Sequence, residues 1–507
     1  MKRLIAVLTP VHRYLGLVFC LIFVAWFASG LVMIYARMPA YTGSERVARL
    51  KPLDPAAVRL SPAEAVARAD IGSSRPGRIT LTTYRSRPVY RFRIGPDAVT
   101  VFADDGSVLE PVKADEALAI VRDAFPDHAG SARVRDTLTR PDQWTIEAPF
   151  GSTGPLHVIA LGDPAATDLY VASNTGGIVL ETDRASRFWG YAGPVMHWFY
   201  FRPLRVNGPL WANVIIYGSL AGCVLCLLGL TVGIYRYSLA RYRQGISATP
   251  YSGWLRWHHY AGLIFGVITL TWVFSGMLSM EPWGLSYAND PGVDQVVAIR
   301  GDGVDAARFV VSPARALDAL RTWGPAASSD VARVAKSGAG PSVPKELDLI
   351  QFMGAPFYRA EDPLRGTVLV TADHGPAIQA GFTQPELLAA ARAAMPGKQP
   401  GEITWLTGYD GYYYDRSGGR PLPVLRVKYG DESASWLYLD AHDGGLVQRE
   451  TSRSRLFRWL YYGLHDLDLP RLYQAGWIWY AVIVGLCGGG LLLSMTSVIV
   501  GWRWLRR

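Results

Sequence analysis

The sequence predicts an integral membrane α-helical four-span bundle with a pseudo-two-fold internal duplication, plus two water-exposed α+β domains. Three observations predict it. Four segments are long and apolar enough to cross a bilayer, the same motifs return at fixed offsets, and short Arg clusters flank alternate ends of the apolar runs. The composition agrees: 50% of the 507 residues are hydrophobic and 18% are charged, too apolar for a soluble chain and too polar for one lying wholly in lipid.

The spans read as 14–35, 209–235, 260–280 and 475–502. Each reaches the ~20 residues that a ~30 Å hydrocarbon core requires. Backbone polar groups cannot stay unpaired in lipid, so each should be helical. The first span reads as a retained helix rather than a signal peptide. Its apolar region is long, it lacks a small-x-small exit, and Cys20 follows Phe19.

Net charge is +9, and much of it lies beside the spans. Lys2, Arg3 and Arg13 precede the first; Arg236, Arg241, Arg243 and Arg256 fill the loop between the second and third; Arg503, Arg506 and Arg507 close the chain. All three clusters fall on one side, which the positive-inside rule makes the cytoplasm; Arg202 and Arg205 argue the other way but are outnumbered. The chain is therefore expected in a bacterial inner membrane, with both termini cytoplasmic and two large periplasmic domains. No basic stripe interleaved with aromatics occurs in the polar regions, which argues against nucleic acid as a partner. Cys20, Cys223, Cys226 and Cys487 all lie in apolar runs, so no disulfide framework is expected, and the Cys223–Cys226 pair reads as helix packing.

The expected organisation is a first span (1–37), a first outer domain (38–186), an interfacial segment (187–207) and a second span (208–238). A cytoplasmic loop (239–256), a third span (257–281), a second outer domain (282–454), another interfacial segment (455–474) and a fourth span with its tail (475–507) follow. The second half repeats the first. His12-Arg-Tyr-Leu-Gly16-Leu matches His258-His-Tyr-Ala-Gly262-Leu, and Trp26, Ser29 and Gly30 match Trp272, Ser275 and Gly276, all at an offset of 246. Further along the offset is 268: Leu169-Tyr170 matches Leu437-Tyr438, His197 matches His465, Trp211 matches Trp479 and Gly222 matches Gly490. Two such units should pack as a pseudo-symmetric four-helix bundle, with the small residues letting helices approach.

The outer segments read as α+β. Ser61 caps a helix with Pro62 in its first turn, and Val311-Ser-Pro-Ala314 resembles that start. Alternating stretches at 89–94 and 99–102 read as strands, and Asp104-Asp-Gly106, Asn174-Thr-Gly176, Asp373-His-Gly375 and Asp440-Ala-His-Asp-Gly444 as turns. A helix opened by Ser-Pro-Ala-Glu-Ala, followed by strands ending in Tyr-x-Asp-x-x-x-Gly-like turns, resembles the PepSY module. The whole chain, with spans opening His-x-x-x-Gly-Leu, resembles the PepSY-associated transmembrane family. That family includes iron-uptake-associated inner-membrane proteins and ferric-siderophore reductases of the ferrioxamine-reductase type. The chain departs from the turn pattern at Asn174, where an Asp is common.

Nine histidines occur. A lone histidine at a membrane interface is ordinarily a polar anchor. Here His12 and His258 open equivalent spans, and His197 and His465 precede the other two at equivalent positions. A haem iron takes two facing axial imidazoles, and a two-fold bundle supplies such a pair from any duplicated histidine. The resemblance implies haem-mediated electron transfer. It points to two haems b, an inner one between His12 and His258 and an outer one between His197 and His465. Arg13, Arg187, Arg256 and Arg455 are candidate propionate partners. His259 is an alternative ligand. Trp26 and Trp272 fall mid-bilayer, where core packing is the ordinary role. His197 and His465 lie 10–12 residues before their spans, so they reach the membrane only if the Trp-rich interfacial segments fold back.

No dinucleotide fingerprint, phosphate loop, HExxH or nucleophile elbow is present. Electrons must then come from quinol or from a separate cytoplasmic flavin or nicotinamide donor. The Tyr-rich tract 408–416 carries oxygens suited to ferric iron, although a structural Tyr-rich turn is the plainer reading. The leading expectation is a di-haem, haem-dependent reductase of ferric iron or ferric-siderophore complexes. The rivals are a non-enzymatic protein whose outer domains bind or restrain a periplasmic partner, and a siderophore-uptake accessory or transporter. Neither rival needs matched histidines at both membrane faces.

Overall fold

The computed structural model describes residues 2–146, 154–238, 240–242, 245–284, 291–323, 344–362, 366–415 and 418–506. They form two compact units, one of 1–39, 185–288 and 453–507, the other of 40–184 and 289–452.

The first unit holds four helices long and apolar enough to cross a membrane: α1 (Lys2–Met33), α2 (Gly208–Arg236), α3 (Gly253–Leu278) and α4 (Trp477–Leu505). Helices α1 and α3 each pack against both α2 and α4, which closes a ring with α1 and α3 on one diagonal. Small residues make the close approaches. Gly222 lies under Phe23 and Val273, Gly266 under Leu230, Gly489 under Phe265 and Gly490 under Phe27. With no hydrophobic force between helices in lipid, this interdigitation carries the association. Helix α1 starts at Lys2, within the expected first span of 1–37 and well before its long apolar run at 14–35, and Ile5 of that opening stretch is only 1% exposed. His12 therefore sits inside a helix rather than at its end.

The interfacial segments do fold back, and in the same way. Helices Arg184–Gly190 and Ser452–Arg458 each run into a π-helical turn, Tyr191–Val195 and Trp459–Gly463. Two residues past each of His197 and His465 the backbone enters the left-handed region, at Phe199 (φ 55°) and Leu467 (φ 52°). Such a conformation costs a bulky L-residue energy and persists only where surroundings enforce it. Here an indole staples each reversal: Trp211 Nε1 donates to the Trp198 carbonyl (2.8 Å) and Trp479 Nε1 to the Asp466 carbonyl (2.9 Å). In the loop between α2 and α3, Ala240–Tyr242 pairs with Gly245–Ser247; Arg243 lies outside the described residues.

The second unit joins both outer segments. Strands Arg78–Tyr84, Arg87–Ile94 and Asp97–Phe102 of the first and Leu347–Phe352, Ala355–Asp362, Gly366–Thr371 and Ile378–Gln379 of the second form one seven-stranded sheet. The seam is antiparallel, with Ile79 opposite Leu349. Beside it, Arg46 grips both oxygens of Glu346, and Asp348 accepts from Arg78 and from Thr80 (2.7 Å). The capped helices Pro62–Arg68 and Pro313–Thr322 pack on one shared core with Tyr90, Phe92 and Tyr358. Each segment then adds a helix (Ala114–Ala124; Gln384–Ala394) and a four-stranded sheet, made of strands between 133 and 182 in one case and between 400 and 450 in the other. Ser61 and Ser312 stand 251 apart while Tyr90 and Tyr358 stand 268 apart. Most of the second segment's extra length thus falls between Thr322 and Leu347, a stretch whose residues 324–343 lie outside the described set.

The expected Asn/Asp-x-Gly turns close on left-handed glycines, Gly176 (φ 62°) and Gly444 (φ 72°). A methyl group on either would run into a ring, Tyr84 in one case and Phe352 in the other. Gly444→Ala should therefore lower stability by about 2 kcal/mol or more, since left-handed strain and overpacking add; denaturant unfolding of the purified protein measures it.

Candidate functional site

The bundle brings the four histidines at matched sequence positions into two facing pairs. The His12 and His258 rings stand 6.3 Å apart between centroids with 31° between planes, and the His197 and His465 rings 6.1 Å apart with 70°. The second pair lies against Ser29 and Ser275, each 17 residues along its helix from His12 and His258. At 1.5 Å per residue the two pairs are about 25 Å apart along the bundle.

Hydrogen bonds assign a tautomer to each ring. The Ser29 hydroxyl donates to the Trp26 carbonyl (3.0 Å), so toward His197 Nδ1 (3.2 Å) it can only accept; the Trp26 carbonyl also faces that nitrogen (3.2 Å). Ser275 repeats this, donating to the Trp272 carbonyl (3.1 Å) and accepting from His465 Nδ1 (3.0 Å). His12 Nδ1 faces the Leu225 carbonyl (3.1 Å), which has no proton to give. His258 Nδ1 faces Thr496 Oγ1 (3.2 Å) and Ser497 Oγ (3.3 Å), both of whose protons go to the Leu493 carbonyl. All four rings thus carry their proton on Nδ1, leaving the Nε2 lone pair free. No Nε2 of the four has a hydrogen-bond partner among the described residues.

The two fully buried histidines, His259 and His157, show the contrary arrangement. His259 Nε2 donates to the Gly233 carbonyl (2.8 Å) and its Nδ1 meets Thr249 Oγ1 (2.8 Å). Both nitrogens are spent, so His259 fastens the loop between α2 and α3 and offers no lone pair. His157 is likewise held by the Val112 carbonyl (2.8 Å) and Thr137 (3.0 Å). His128 is half-buried and His374 exposed, both in the second unit.

Glycines let the helices close over the rings. Gly30 and Gly276 present their backbone to Cε1 of His197 and His465, and Gly229 of α2 lies directly under His12. Gly16 and Gly262 instead face Leu225 and Leu493. Phe19, Phe23, Phe27 and Trp272 fill the interior, while the Trp26 and Trp272 backbones hold the second pair. Of the four candidate arginines, Arg13 is exposed over Trp504 and Arg256 half-buried over Trp257; Arg187 and Arg455 are half-buried. Sequence reasoning passed over Arg458, which is buried, stacks on Trp459 and donates to the Asp468 carbonyl (2.6 Å). Its basic character amid the Trp-rich segment was the available signal. Among the described residues, no group of three or more His, Cys, Asp or Glu side chains is placed to hold a metal ion.

The Tyr-rich tract is structural as far as it is described. The Tyr409 and Tyr413 hydroxyls donate to the Arg420 and Pro421 carbonyls (both 2.8 Å), and Tyr413 stacks on Tyr438. Its end at Arg416 lies outside the described residues.

No protein-family model matches the chain, and no curated protein is significantly similar to it. In the second unit, Asp440 hydrogen-bonds His442 Nδ1 (3.0 Å) and raises its pKa above the ordinary 6.5, against the opposing effect of burial. The stability this pair contributes is full below about pH 6.5 and is lost as pH rises through the raised value. Asp440→Asn should remove that part of the pH dependence, which unfolding measured from roughly pH 5.5 to 8.5 reads directly.

Proposed function

We propose that the chain is a di-haem electron-transfer protein of a bacterial inner membrane, made of two copies of one helix–outer segment–helix unit. In this reading it reduces ferric iron or ferric-siderophore complexes on the periplasmic side. The observation that carries it is the set of four imidazoles protonated on Nδ1 with Nε2 free, arranged in two facing pairs near opposite ends of the bundle.

The donor set fits the group. Imidazole nitrogen binds a first-row metal at about 2.0–2.1 Å, and its ring centroid lies about 1.1 Å behind, so two imidazoles that held one iron between them would have centroids about 6.2 Å apart. The observed spacings are 6.3 and 6.1 Å. Haem b bound there supplies one-electron chemistry. His12 and His258 would hold the inner group, His197 and His465 the outer one. Ser29, Ser275, Thr496, Ser497 and the Leu225 carbonyl keep the Nδ1 protons in place, which fixes ring orientation and raises ligand basicity. The phenylalanines between the pairs keep water out of the path. Arg13, Arg256, Arg187, Arg455 and the buried Arg458 are the cations available for propionates. The His-x-x-x-Gly-Leu motifs at His12 and His258 and the turns at Gly106 and Gly444 support the PepSY-associated resemblance, and with it ferric-siderophore as the acceptor class. Quinol or a cytoplasmic flavin or nicotinamide partner would supply the electron.

The test is an absorption spectrum of detergent-purified protein, oxidised and dithionite-reduced, with a pyridine haemochrome count. Two haems b per chain are expected, falling to one in His12→Ala, His258→Ala, His197→Ala or His465→Ala. Ser275→Ala should retain the site while weakening haem retention about 10–100-fold, as loss of an outer-shell partner does. A colourless protein from haem-replete cells would sink the reading and favour outer segments that bind a periplasmic partner.

A further inference from the structure

The two ring pairs differ in one respect that the repeat does not impose. The first pair is tilted by 31° and the second is crossed at 70°. The surroundings of the crossed pair are also unequal. His465 lies flat on Tyr461, with centroids 5.4 Å apart and 24° between planes, and Tyr461 lies flat on Phe457, at 5.4 Å and 23°. These three rings follow one another at intervals of four residues through the π-helical turn. In the first half, Gly193 stands where Tyr461 stands in the second, and it packs against Val32 and Met33. Among the described residues, no ring other than His465 lies against His197.

An anchor at Nδ1 fixes one point of an imidazole and leaves rotation about that point. Both outer histidines have that anchor, from Ser29 and Ser275. Among the described residues, His465 alone has a second constraint, the Tyr461 ring flat on its face. Offset stacking of this kind resists rotation out of plane.

We propose that Tyr461 is a positioning residue that locks the plane of His465 and so holds the outer imidazoles crossed, setting the outer haem apart from the inner one in ligand geometry and in reduction potential. The proposal rests on the haem reading above. Its physics is that of a low-spin ferric ion with one hole in its dπ pair. Near-parallel imidazoles split that pair by π-donation and stabilise the ferric state. Crossed imidazoles leave the pair nearly degenerate and forfeit that stabilisation. Axial-ligand geometry thus places the outer haem at the higher potential, and the electron's passage from the inner site to the outer one runs downhill.

Low-temperature EPR with a redox titration of the full-length oxidised protein tests this. Two low-spin ferric signals are expected, one rhombic and one with a large g-maximum, the latter titrating at the higher potential. Tyr461→Phe keeps the ring and should leave both signals in place. Tyr461→Leu should move only the large g-maximum downward and lower its potential, with the rhombic signal as internal control. An unmoved outer signal in Tyr461→Leu overturns the proposal, as do two identical rhombic signals in the unaltered protein. Should Tyr461→Leu lose the outer haem, Phe457→Leu decides. A smaller shift in the same direction supports the lock, and an unchanged signal overturns it. A protein with no haem at all brings down the parent reading instead, and its colour shows this before any EPR.

Discussion

A proton on Nδ1 is the feature on which the arrangement of this bundle turns. Imidazole offers one lone pair in its neutral form, and whichever nitrogen lacks the proton presents it. Four backbone carbonyls, at Trp26, Trp272, Leu225 and Leu493, decide the matter here, two of them directly and all but Leu225 also through hydroxyls whose own protons they take. Because the acceptors belong to helix backbones, the choice is built into the helices. His259, one residue from His258, makes the opposite choice because the Gly233 carbonyl reaches its Nε2. Adjacent residues of one type thereby serve different ends.

Bringing His197 and His465 to that backbone takes an unusual path. A π-turn widens the helix, a left-handed residue reverses the chain, and an indole from the next helix clips the reversal shut. The path appears twice with the same spacing, down to the left-handed Phe199 and Leu467. The glycines at 30 and 276 then admit the rings against the helix. Reversal, clip and gap act on one side chain each, and none of the three would place it alone.

Much of this was legible in the sequence. Apolar length marked the four helices, and the fixed offsets matched His12 with His258 and His197 with His465. The same offsets picked out Ser29, Ser275, Gly30 and Gly276 as repeated, although their contact with the outer histidines was not readable. Contacts between distant segments leave no local period to read. The seam between 78–84 and 347–352 is of that kind. Tyr461 stood out in the sequence only as one of the interfacial aromatics; its counterpart is Gly193, so comparing the halves gives no sign of its stack on His465. The Tyr-rich tract drew notice through composition, yet the hydroxyls of Tyr409 and Tyr413 go to nearby carbonyls.

The shared sheet has a consequence for biogenesis. Strand 78–84 finds its partner on one edge only in 347–352, which follows two further membrane helices in the chain. Until that partner emerges, the first outer segment presents a bare strand edge, the template on which chains aggregate. Its folding must wait for, or be shielded until, the second outer segment. Neither half is then a free-standing module, and a truncation after α2 would leave a segment with its own helix and strands but no seam to close.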